Sequence, residues 1–171
     1  MPVVPVVPVM SAVLVAESSN RGAAYDLVLL LHVLSALAGF GAVAVAGVHA
    51  LLLRRPGPPG EAVVRYYRPG VNWAGRILFV VPVLGLTLVA MSRGAWSFSD
   101  GWLMAGLMLW VVAAFGAELV LWPAERRLQD LVAEDPVTVA GSRALCLQVA
   151  GVASAELLIF VVATVVMTAK P

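Results

Sequence analysis

The chain has 171 residues, of which 61% are hydrophobic and 12% charged, and a formal net charge of +1. A soluble domain carries roughly 25% charged residues, so this composition excludes an ordinary water-soluble fold and makes lipid the expected solvent. A near-neutral balance also argues against nucleic acid as a partner, which would require a strongly basic face.

Residues 1–24 open with Met1-Pro2-Val3-Val4-Pro5-Val6-Val7-Pro8, apolar but interrupted by proline at every third position. That pattern predicts an extended tail, too short to cross a bilayer as a helix. There is no basic region ahead of it, and Leu14-Val15-Ala16 is a poor small-x-small cleavage site, so a cleaved signal peptide is not expected. Either Met1 or Met10 suits a start.

A hydrocarbon core about 30 Å thick needs roughly 20 apolar helical residues. Four stretches qualify: about Tyr25 to Leu53, Val71 to Met91, Gly101 to Trp122, and Ala144 to Thr168. The first ends at Arg54-Arg55-Pro56-Gly57-Pro58-Pro59-Gly60, where proline lacks the amide donor and glycine raises the entropic cost of continuing. Pro82 should kink the second. The polar turn from Ser92 to Asp100 is short enough to make the second and third helices antiparallel neighbours packed side by side. Pro123 is expected to close the third, and Leu128, Leu131 and Val132 at helical spacing then predict a short interfacial helix from Ala124 to Glu134. The fold class is therefore all-α, a polytopic membrane four-helix bundle.

Lysine and arginine set the orientation. Arg54, Arg55, Arg65, Arg68, Arg76, Arg126, Arg127 and Arg143 fall around the first and third connections, against Arg21, Arg93 and Lys170 on the other side. The first and third connections are expected in the cytoplasm and both termini outside, in a cell membrane. Trp110 falls near mid-membrane, where its indole donor needs a partner, and is expected to face a neighbouring helix.

Helix association in lipid depends on close packing, so small residues mark contact faces. Ala38, Ala42, Ala46 and Ala50 form one ridge of the first helix, and Ser35, Gly39, Val43 and Gly47 the next. Such a surface serves either the other three helices or a partner: a second copy of the chain or a larger membrane complex.

An ionisable side chain in the membrane costs roughly 2.5 to 3.5 kcal/mol and is a candidate for function. His32 and Glu156 lie within the first and fourth spans, and helix tilt would let them meet. His49, Arg76 and Glu118 fall near the cytoplasmic ends of three helices, where one polar cluster is expected and Arg76 with Glu118 reads as an ion pair. His32 is a candidate haem or metal ligand, with a hydrogen bond to a carbonyl or to Glu156 as the alternative. His32 and His49 are 17 residues apart, about 25 Å along a helix, and cannot share one ion within a chain. Glu156 is either a protonatable group on an ion path or a structural carboxyl. Met104 and Met108 raise soft-metal ligation. No HExxH, CxxC, P-loop or Gly-x-Ser-x-Gly is present, so an enzyme is the minority reading.

Leu31-His32-Val33-Leu34-Ser35-Ala36-Leu37-Ala38-Gly39-Phe40-Gly41 resembles the opening helix of a group of bacterial four-helix integral membrane proteins of unknown function. More distantly, it is similar to the copper-resistance D-type membrane domain. The resemblance implies a role for His32, although this chain lacks the further intramembrane histidines that a copper or haem protein of that class would offer. Three readings follow: an accessory subunit or homo-oligomer using the small-residue face, a haem- or metal-handling protein centred on His32, and an ion or small-solute transporter using Glu156.

Overall fold

The structure, a computed structural model, describes residues 22–135 and 142–169. Among them are five helices and no strand: α1 Gly22–Leu53, α2 Glu61–Tyr66, α3 Trp73–Met91, α4 Gly101–Glu134 and α5 Arg143–Ala169. All but α2 are long and apolar enough to cross a membrane. The chain is an all-α, multi-pass membrane four-helix bundle. Leu30, Leu34, Val83, Leu119 and Leu158 stand exposed on its flanks, as lipid-facing side chains must. Met1, Met10, Arg21 and Lys170 lie outside the described residues, as does nearly all of the expected tail; of that tail, residues 22–24 belong to α1.

Boundaries follow local chemistry. α1 stops before the proline-rich connection, where Gly57 takes a φ of 96° that a side chain would resist. Asn72 caps α3, its Oδ1 accepting from the Gly75 amide at 3.3 Å. The helix tightens to a 3₁₀ turn over Ile77–Phe79, just ahead of Pro82, whose ring crowds the preceding turn. α4 departs from expectation: Pro123 does not end it, and no separate interfacial helix follows. A π turn over Ala117–Leu121 widens the backbone ahead of the proline, and the helix runs on to Glu134. Leu128 and Val132 on this extension join the core with Val63, Tyr67 and Cys146.

α1 is the central packing element, lying chiefly against α5 and α3, while α4 packs on α5. Gly39 admits the α3 backbone: a Cβ there would stand 3.0 Å from the Leu78 nitrogen. Gly47 admits Ala153, whose Cβ would lie at 2.8 Å. Ala46 and Ala50 are buried, Ser35 and Ala42 are half-buried, and Ala38 is exposed. The small-residue surface is therefore largely occupied by the chain's own helices.

The expectation that the second and third spans pack side by side is met only in part. They meet where Phe79 contacts Trp110 and Trp122 and Trp122 fills the space beside Gly75. Over Val80–Met91, however, α3 makes few close contacts with Gly101–Gly116. A cavity occupies that half. Its end of the bundle, with the start of α1, the end of α5 and the 92–100 turn, is the terminal end. The opposite one, bearing Arg54, Arg65, Arg68, Arg126 and Arg143, is the arginine end.

Candidate functional site: a histidine-lined cavity

The cavity in the terminal half measures about 470 Å³ and is lined from α1, α3, α4, α5 and the 92–100 turn. That volume falls within the roughly 300–1,000 Å³ of small-molecule sites. Its wall is mainly aliphatic, with Leu103, Leu107, Ile159 and Ala163 among the lining residues. Toward the terminal end Tyr25, Trp96 and Trp102 form an aromatic collar, with ring centroids 6.0 Å and 5.7 Å apart in succession. Leu29, Val33, Leu37 and Leu86 line the cavity and are also exposed, so it is continuous with the lipid-facing surface.

His32 is the ionisable side chain with ring nitrogens on this wall. Its Nδ1 lies 2.9 Å from the Val81 carbonyl. A carbonyl only accepts, so Nδ1 carries the proton and donates. In the neutral ring Nε2 then keeps its lone pair, and it has no hydrogen-bond partner among the described residues. Gly85 makes room for this pose, since a Cβ there would come within 3.2 Å of the imidazole Cε1. Backbone anchoring of one ring nitrogen is the usual device for aiming the other at a ligand.

Trp110 stands on the same wall and donates from Nε1 to the Leu78 carbonyl at 3.0 Å. It thus faces a neighbouring helix, as its mid-membrane position requires. Met167 lines the cavity from α5 and seats against Gly106.

A second polar assembly lies at the arginine end. Arg76 meets Glu118 at 2.8 Å and stacks over Trp122 at 3.8 Å from the ring centroid. His49 does not join that pair. Its Nδ1 donates to the Val45 carbonyl at 2.8 Å, and its ring stacks on Tyr66 at 4.1 Å. Tyr66 and Asn72 both donate to buried Glu125, at 2.8 Å and 3.2 Å. Burial, with Glu125 as neighbouring charge, pushes the Tyr66 and Tyr67 hydroxyls well above the usual phenol range. The acceptor Glu125 was not singled out in the sequence. Its spacing to Leu128 and Val132, at i, i+3 and i+7, placed it on their buried face.

His32 and Glu156 are not brought together. The histidine is held at Val81, whereas the Glu156 carboxyl lies against Gly116, whose Cβ would stand 3.3 Å from Oε1. Met104 and Met108 are exposed, and neither lines the cavity. Among the described residues, no three His, Cys, Asp or Glu side chains converge as a metal site requires.

Comparison with protein families, curated proteins and solved structures finds no match.

Proposed function

We propose that this chain is a membrane-embedded binding protein that takes an apolar small molecule bearing a hydroxyl or N–H donor into the terminal-half cavity. The observation that carries the reading is His32: Nδ1 is held at the Val81 carbonyl, and Nε2 is left as an acceptor in a mainly apolar chamber of about 470 Å³. Continuity with the lipid-facing surface gives such a ligand an entry route from the bilayer.

Haem is the competing occupant, ligated through the same Nε2. Among the described residues the cavity wall holds no lysine or arginine to meet the two propionates, and that favours a neutral ligand. The accessory-subunit reading loses much of its support, because Gly39 and Gly47 are filled from within the chain. We assign the arginine end to the cytoplasm of a cell membrane on the excess of arginine there.

Native mass spectrometry of protein purified in mild detergent, with a reduced-minus-oxidised visible spectrum of the same sample, tests the proposal. A small neutral molecule retained by the wild type and lost from His32→Ala supports it. A Soret band lost in that variant would replace it with the haem reading, and an empty cavity across lipid-supplemented preparations would overturn both.

A further inference from the structure

Glu156 sits in α5 with 1% of its surface exposed, and neither carboxyl oxygen has a hydrogen-bond partner among the described residues. The nearest socket is Gly116, immediately before the π turn of α4. Such turns interrupt regular helix bonding and recur at functional sites.

Among the described residues no ionisable side chain on the packed elements reaches this carboxyl. On α4, Glu118 is paired with Arg76 of α3. On α1, His32 is held at Val81 and His49 at Val45 and Tyr66. On α5 itself Cys146 is ten residues away, about 15 Å along the axis. An ionised carboxylate buried without a partner is far costlier than the neutral acid. The surroundings therefore suit a carboxyl that holds a proton.

Position supplies the route. Phe160, one turn from Glu156 on the terminal side, packs on Phe40 with ring centroids 4.8 Å apart, and both rings line the cavity. The pair forms the floor of the chamber, at the end nearer Glu156. Toward the arginine end the bundle is closed by Ala117, Leu121 and Val149, none more than 1% exposed.

We propose that Glu156 is a proton-binding site of the bundle, reached from the histidine-lined cavity through the Phe40–Phe160 pair. This rests on the carboxyl and the floor, and holds whether or not the chamber houses a ligand.

Dicyclohexylcarbodiimide tests it on the full chain in mild detergent. The reagent takes the acid proton on one nitrogen while the carboxyl oxygen adds to its central carbon. The adduct then rearranges to a stable N-acylurea with no atom lost. We expect one adduct mapping to Glu156, formed more slowly as pH rises, absent from Glu156→Gln and formed several-fold faster in Phe160→Ala. Phe40→Ala gives the same acceleration and serves if Phe160→Ala fails to fold. Absence of a Glu156 adduct from the wild type and both alanine variants would overturn the proton site. Equal labelling rates in the wild type and a folded alanine variant would overturn the route through the floor.

Discussion

Trp110 donates its indole N–H to the carbonyl of Leu78 at 3.0 Å, the acceptor that an α-helix would satisfy from residue 82. Residue 82 is proline and has no amide proton to give. An indole from α4 thus replaces a backbone bond of α3, and it does so on the wall of the cavity. The interruption that kinks α3 is part of what holds it beside an open chamber.

Trp110→Phe should therefore cost about 1 to 2 kcal/mol, since it leaves a carbonyl without its donor in an apolar setting. Pro82→Ala returns an amide to that carbonyl, so the double variant should lose less than the sum of the singles. A double-mutant cycle on thermal unfolding in detergent measures the difference, and strict additivity would show that the two residues are uncoupled.

Gly39→Leu should separate α1 from α3, because a Cβ already stands 3.0 Å from the Leu78 nitrogen and 3.1 Å from its Cα. Backbone cannot rotate aside as a side chain does, and overpacking of this kind costs about 1 to 3 kcal/mol. Gly41→Leu is the control, with open space at its Cβ position. Comparing their unfolding midpoints, we expect a clear loss for the first and little change for the second.

Glu125→Ala should destabilise the arginine end by about 1 to 3 kcal/mol, because it strips the acceptor from Tyr66 and Asn72. Tyr66→Phe in that background should recover part of the loss by removing one of the stranded donors. Protease susceptibility of the Arg54–Gly60 connection reports the loosening.

Alkaline pH should act at the same place. The Tyr66 and Tyr67 phenols are raised by burial in the folded state, whereas in the unfolded chain they ionise near the usual value of about 10. The folded state then holds more protons above that pH. Stability is fully present below about pH 10 and declines as pH rises through it. Ultraviolet titration should show tyrosines that stay neutral past their ordinary range, and the double phenylalanine variant should flatten the decline in unfolding midpoint.

The four spans were legible because hydrophobic length is imposed by the bilayer itself, and Gly39 and Gly47 because helices in lipid meet where side chains are small. The need for a partner at Trp110 was equally readable from an indole donor placed in an apolar span. Other features depend on relationships between helices that one helix does not encode. The pairing of His32 with Val81 and Gly85 requires knowing which faces of α1 and α3 meet. The cavity arises because α3 and α4 diverge after the contact of Phe79 with Trp110, and a short turn from Ser92 to Asp100 gives no sign of that. Pro123 misled because a proline normally ends a helix, whereas here the π turn ahead of it absorbs the ring.

In the proposed function His32 offers an acceptor to a donor-bearing apolar ligand. The most direct measurement is tryptophan emission in bicelles titrated with a long-chain alkylphenol and with its methyl ether, since Trp96, Trp102 and Trp110 all line the chamber. We expect saturable binding of the phenol, at least about tenfold weaker binding of the ether, equivalent to about 1.4 kcal/mol, and loss of that preference in His32→Ala. Equal binding of phenol and ether by the wild type, or an unchanged preference in His32→Ala, would contradict it.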